Sequence, residues 1–181
     1  MQNENNLVTE SVEIFLGIMK TKDGVPIIST ELLDWLIENG FFTAPASTKH
    51  HGDYEGGLFD HSVAVTDELV HFTDKLELQW KRPQSPFIVG MFHDLCKIDQ
   101  YKYIEHLGYQ HRDCLLSGHG IKSIALLSQF MTLTEEEILC IRYHMGAYET
   151  EDWKGFDAAI RKYPTVLFTH TADMLASKLK T

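Results

Sequence analysis

His93 and Asp94 stand side by side in the most apolar stretch of the chain, Pro86-Phe87-Ile88-Val89-Gly90-Met91-Phe92-His93-Asp94-Leu95. Burying a carboxylate or an imidazole is costly unless the group is paired, hydrogen bonded or bound to metal. Whatever the chain folds into must therefore bring compensating groups to this point. Neutral imidazole nitrogens and a carboxylate are good ligands for zinc, iron, manganese or cobalt, and adjacent residues can reach one ion when their side-chain lengths differ. Taken singly, each residue has a plainer explanation. A histidine on an apolar face is ordinarily a hydrogen-bonded core residue, and Asp94 could be the buried partner of Lys97 or Arg142. The combination is what points to metal, because His61 and Asp173 fall on other segments that also read as buried.

Those segments are helical in pattern. Val8, Val12, Phe15 and Ile18 or Met19 recur at helical spacing until Gly24-Val25-Pro26, and Ser29 or Thr30 can cap a second helix through Leu32, Leu33, Leu36 and Ile37, which Asn39-Gly40 ends. Phe41 to Gly57 reads as a long loop with Pro45, Gly52 and the polar run Ser47-Thr48-Lys49-His50-His51; long ordered loops are often functional. From Leu58, the residues His61, Val65, Leu69, Phe72 and Leu76 share one helical face, which points His61 inward. Ser85-Pro86 reads as a cap and first turn for a helix that would contain His93 and Asp94. Ser117 is a candidate cap for a helix with His119, Ile124, Leu127 and Phe130. Thr134 with Glu137 reads as a capping box for Ile138, Ile141 and His144, with Gly146 as the stop. A polar connection containing Trp and Gly follows, and Tyr163-Pro164 opens a last helix through Val166, Leu167, His170, Asp173 and Met174. No strand alternation or internal repeat is evident.

Charge and length narrow the function classes. With 26 acidic against 16 basic residues, the net charge of −10 disfavours long nucleic acid as a partner, although bound divalent cations would offset part of it. The 181 residues suit one compact domain. Cys96, Cys114 and Cys140 are odd in number and lack CxxC spacing, which argues against a disulfide framework or zinc ribbon and fits reduced cytoplasm. The polar start lacks a signal-peptide pattern, and no stretch approaches the roughly 20 apolar residues of a membrane span.

His93-Asp94-Leu95-Cys96-Lys97 resembles the signature of the HD superfamily of metal-dependent phosphohydrolases, a first His, a His-Asp doublet often followed by Leu-Gly-Lys, and a distant Asp. Gly56-Gly57-Leu58-Phe59-Asp60-His61-Ser62 resembles the first-histidine helix, and His170-Thr171-Ala172-Asp173-Met174 the closing aspartate segment. Cys96 stands where Gly is common, a small-for-small change. The resemblance covers most of the chain and implies an all-α, single-domain HD-type helical bundle over 1–181, with N-terminal helices 1–40 packed on a metal-site core of about 57–178.

It further implies one or two divalent transition metal ions, with Fe, Mn, Zn, Co and Ni not distinguishable. The first would take His61, His93, Asp94 and Asp173; Asp94 would bridge to a second held by His119, from Ser117-Gly118-His119-Gly120, and His144, from Ile141-Arg142-Tyr143-His144-Met145. Hydrogen bonding to substrate is the alternative role for His119 and His144. The expected activity is hydrolysis of a phosphoester or phosphoanhydride bond by a metal-activated hydroxide. Asp94 and Lys97 would be catalytic. Lys97, one turn after His93, would contact phosphate or else pair with Asp94; Arg142 and Lys122 are further phosphate contacts or surface charges. His170 would orient Asp173 or else replace His144 as a ligand.

Among family members the first-histidine context is most similar to stand-alone HD hydrolases and to the HD portion of YhaM-type 3'-to-5' exoribonucleases. With no OB-type module before His61 and no basic aromatic stripe, a small phosphorylated substrate, a nucleotide above all, is favoured. Tyr54, Tyr101, Tyr103, Tyr109 and Tyr148 could stack a base or simply pack. The alternatives are an exonuclease or phosphodiesterase on short oligonucleotides, or a non-catalytic nucleotide-binding regulatory HD module. The oligomeric state is open.

Overall fold

The computed structural model describes residues 2–49, 52–114, 116, 118–146 and 151–179, with backbone alone at 2–5 and 179. Among these it is mostly helical. The α-helices are α1 (Gln2–Ile18), α2 (Thr30–Glu38), α3 (Gly57–Leu76), α4 (Ser85–Phe92), α5 (His119–Leu127), α6 (Glu135–Arg142), α7 (Trp153–Lys162) and α8 (Thr165–Leu179), with a 3-10 helix at Leu95–Asp99. No helix among the described residues is long and apolar enough to cross a membrane.

The expectation of a purely helical chain is corrected by one antiparallel hairpin, β1 (Tyr101–Ile104) and β2 (Gly108–His111), in which Tyr101 faces His111 and Tyr103 faces Tyr109. Each strand has four residues. At that length the period-two signal is a single Tyr-x-Tyr step, and the aromatic cross-strand pairs supply what periodicity does not show. A second correction is α7, which occupies the supposed polar connection. Asp152 caps it by accepting from the Gly155 amide, and Trp153, Phe156 and Ile160 recur at helical spacing within a stretch whose polar and Gly content reads as a connection.

The chain divides into two compact units, one of Met1–His61 with Lys97–Cys114, the other of Ser62–Cys96 with Leu115–Thr181. In the first, Phe15 of α1 meets Phe41, Phe42 and Phe59 in edge-to-face or tilted contacts, with Phe42 and Phe59 rings 5.2 Å apart. Such pairs add about 0.5–1.5 kcal/mol beyond their burial. This anchors the start of the long loop immediately after α2, which Ser29 caps and Gly40 (φ 78°) terminates. Further on, the loop closes on itself through the Ala46 amide to the Gly52 carbonyl at 2.7 Å, and a Cβ on Gly57 would collide with that same Gly52 carbonyl. His50 and His51 lie outside the described residues.

In the second unit α6 is the hub, packing against α4, α5 and α8. Thr134 and Glu137 form the expected capping box, but the Glu137 carboxylate reaches further. It accepts from Arg82 Nε and Nη2 and from the Ser85 hydroxyl, each at 2.8 Å. Ser85 is therefore not the cap of α4; Gln84 holds that position without a side-chain bond, and the buried Ser85 hydroxyl is drawn to a carboxylate instead. One carboxylate thus ties the starts of α4 and α6 together. Both helices have eight residues, so both run about 12 Å before they end. Close approach is built in elsewhere too. A Cβ on Gly90 of α4 would lie 2.6 Å from Thr66 Cα, and one on Gly120 of α5 would lie 2.5 Å from the Ile141 carbonyl oxygen.

Candidate metal centre

The helices α4 and α6 end where the chemistry begins. His93 is not inside α4 but is its C-cap, because the chain tightens at once into the 3-10 helix at Leu95. His144 likewise lies beyond α6, after the cap residue Tyr143. Each imidazole folds back onto its own helix end by the same device: His93 Nδ1 is 2.8 Å from the Gly90 carbonyl and His144 Nδ1 is 2.7 Å from the Ile141 carbonyl. A carbonyl can only accept, so each Nδ1 donates. In the neutral ring, Nε2 is then left as a lone-pair atom. The two rings stand 5.0 Å apart.

Both lone pairs face Asp94, a residue 1% exposed. Its two oxygens are divided between neighbours. Oδ2 is 3.5 Å from His93 Nε2, which is also 3.9 Å from Asp173 Oδ1 on α8. Oδ1 is 3.4 Å from His144 Nε2 and 3.7 Å from His119 Nδ1, on the first residue of α5. A lone pair opposite a carboxylate oxygen is a repulsive pairing, and His144 Nε2 is fully buried with no hydrogen-bond partner. A cation between the two groups satisfies both. The donor set thus fits a metal ion.

His119 stands in a different electrostatic setting. The adjacent Asp94 carboxylate, and after it Cys96, push its imidazole up to about 10 against the opposing effect of burial. Cys96 Sγ lies 3.6 Å from His119 Nδ1, and burial pushes that thiol up. Asp94, Cys96 and His119 each offer a ligand atom within 4.8 Å of the others. Cys96 is the member that sequence reasoning misses. Its signal is the departure from Gly two residues after Asp94, which by size alone looks innocuous. The Cys96 amide donates to Ser123 Oγ at 3.0 Å, and this holds α5 against the turn that carries Asp94.

The remaining candidates are placed as follows. His61 is buried in the first turn of α3, the last residue of the first unit, and α3 continues from Ser62 into the second. Lys97 is buried in the 3-10 helix, where three residues make a turn, so the α-helical relation to His93 does not hold. Lys122 is buried, three residues after His119 on α5, which excludes its reading as a surface charge. Arg142 faces Asp152, Nη2 to Oδ2 at 3.8 Å, and stacks over Tyr143. His170 Nδ1 bonds the His144 carbonyl at 2.7 Å, so that bond steadies the turn bearing His144. Ser117 and Tyr148 lie outside the described residues. Tyr103 and Tyr109 pack on each other across the hairpin, and Tyr54 donates to Asp60 at 2.9 Å.

This chain is similar to a phosphodiesterase. It is 28% identical over 123 residues to the dihydroneopterin 2',3'-cyclic phosphate phosphodiesterase of Methanocaldococcus jannaschii, a match that covers 66% of this chain and 49% of the relative. The chain thus spans about half the length of that curated relative. No protein-family model matches the sequence, and no solved structure matches it. The buried His/Asp cluster is compatible with a metal site.

Proposed function

We propose that this protein is a metal-dependent phosphohydrolase of the HD superfamily that cleaves a phosphoester bond in a small, nucleotide-like phosphorylated substrate. The observation that carries this reading is the divided Asp94 carboxylate, with one oxygen toward His93 and the other toward His144 and His119. A carboxylate so placed is suited to be shared by two cations. His93, Asp94 and Asp173 would hold one; Asp94, His119 and His144 would hold the other. A divalent transition metal ion, when bound, polarises phosphoryl oxygens and lowers the pKa of water toward neutrality.

The protein's own residues do the rest. The hydrogen bonds from His93 Nδ1 to Gly90 and from His144 Nδ1 to Ile141 fix both rings with Nε2 presented, and such outer bonds orient ligands and raise their basicity. Lys97 and Lys122, both buried cations, would neutralise phosphate charge as the substrate enters. The net charge of −10 repels long polyanions, so the size of the substrate is selected outside the site. The named substrate of the relative is a 2',3'-cyclic phosphate, which supports cyclic nucleotides as the first substrates to try.

The test pairs metal analysis with kinetics. Purified protein should contain a transition metal and hydrolyse a 2',3'-cyclic nucleotide faster than a single-stranded oligonucleotide at matched phosphate concentration, and Asp94→Asn should lose metal and activity together. Faster turnover of the oligonucleotide would favour the exonuclease reading. Full activity in Asp94→Asn would end the metal reading.

A further inference from the structure

Cys96 is the one group of the cluster to which the phosphohydrolase reading assigns no task. Its surroundings are nevertheless those of a ligand. Cys96 is 2% exposed, its sulfur lies 3.6 Å from His119 Nδ1, and its backbone amide is tied to α5 by Ser123. Nor is it a lone thiol. His119 Nδ1 is 3.7 Å from Asp94 Oδ1, and the fully buried, partnerless His144 Nε2 is 3.4 Å from that same oxygen. An ion bonded to nitrogen, oxygen and sulfur at roughly 2.0–2.3 Å has neighbouring donors about 3.3–3.8 Å apart when the geometry is tetrahedral. The Sγ–Nδ1 separation of 3.6 Å and the Nδ1–Oδ1 separation of 3.7 Å fall in that interval, and one ligand atom from each of Asp94, Cys96 and His119 lies within 4.8 Å of the others.

We propose that Cys96 is a metal ligand, its thiolate joining Asp94 Oδ1 and His119 Nδ1 around one of the two cations, and that this sulfur makes the position selective for thiophilic ions. The proposal rests on the metal-centre reading above. On binding, the thiol proton and the proton on His119 Nδ1 both leave to solvent, and the cation takes their place between sulfur, nitrogen and the Asp94 carboxylate. The two positions then differ in chemistry. The one at Asp94 Oδ2 offers imidazole and carboxylate donors, which suit iron and manganese; the one at Oδ1 adds a soft donor, which favours zinc or cobalt and disfavours magnesium or manganese. A serine or glycine at position 96 would keep the shape of the turn and remove that preference.

Cobalt(II) reports thiolate ligation directly, through a sulfur-to-metal charge-transfer band in the near ultraviolet beside its ligand-field bands. The full chain, stripped with a chelator and titrated with cobalt(II), should show both kinds of band. Cys96→Ser should keep the ligand-field bands and lose the charge-transfer band, whereas Cys114→Ser should keep both. Ligand-field bands without charge transfer in the wild type, or charge transfer that survives in Cys96→Ser, would overturn the role of Cys96 and leave the metal centre standing. No cobalt bands from folded protein would overturn the metal centre itself. Should Cys96→Ser not fold, zinc-edge X-ray absorption of the wild type decides the matter: a sulfur scatterer near 2.3 Å supports the proposal, and nitrogen and oxygen alone reject it.

Discussion

Glu137→Ala tests whether the two helix ends that present His93 and His144 depend on a tie at their other ends. Three sets of donors lose their acceptor. The Ser85 hydroxyl, fully buried at 2.8 Å, has no water to turn to, and such an orphan costs about 1–3 kcal/mol. The Thr134 amide loses its half of the capping box, at 2.8 Å, worth about 0.5–1 kcal/mol. Arg82 loses two bonds, but its side chain is 34% exposed and water replaces most of them, so it adds about 0–1 kcal/mol. The buried hydroxyl dominates, and the expected loss is about 3 kcal/mol. Urea denaturation followed by circular dichroism should show a lower midpoint at unchanged slope. Glu137→Gln, which keeps one oxygen acceptor, should lose about half as much. Metal affinity should fall in both, because the 5.0 Å approach of the two imidazoles relies on the register of α4 against α6. A loss below about 1 kcal/mol in Glu137→Ala would refute the reasoning.

Further outcomes follow from the same geometry. Gly90→Ala should destabilise by about 1–3 kcal/mol in urea, since a Cβ 2.6 Å from Thr66 Cα forces α3 and α4 apart and outweighs a helix-propensity gain of about 1 kcal/mol; a stabilised variant would show that the contact yields. Burial pushes the Cys140 thiol up to about 12, so it stays protonated at pH 8, and a disulfide reagent should modify Cys114 in the native protein but Cys140 only after unfolding. Mass spectrometry of the labelled peptides checks this, and rapid native labelling of Cys140 would contradict its burial. Lys97→Met should slow hydrolysis by about tenfold or more with metal content unchanged, as loss of a buried phosphate contact would; an unaltered kcat/KM would return Lys97 to a structural role.

What is legible in the chain is local. Ser29 at the start of α2, the Thr134–Glu137 capping box and the stop at Gly40 each depend on residues within four positions, and each is present in the fold. The apolar face of α3 is legible as far as Leu69, which is buried, whereas Leu76 at its end is 52% exposed. Ser85 departs from its expected capping role because its hydroxyl is claimed by Glu137, 52 residues away, and no local rule anticipates that. The hairpin at Tyr101–His111 escapes because four-residue strands give too little alternation to count. At the site, the residue types of His93, Asp94, His119, His144 and Asp173 point to one place, and all five do gather in the second unit. The placement of His93 and His144 just past helix ends, and the nearness of Cys96 to His119, are products of the tertiary fold.

The central claim is that Asp94 is a carboxylate shared between metal positions. Anomalous X-ray scattering from crystals of the metal-loaded protein, collected on either side of the absorption edge of the bound element, locates such ions without assumptions about ligands. A shared carboxylate requires anomalous density within about 2–2.5 Å of Asp94, with His93 and Asp173 on the Oδ2 side and His119 and His144 on the Oδ1 side. Metal found elsewhere, or none at Asp94 in protein that still hydrolyses its substrate, would contradict it.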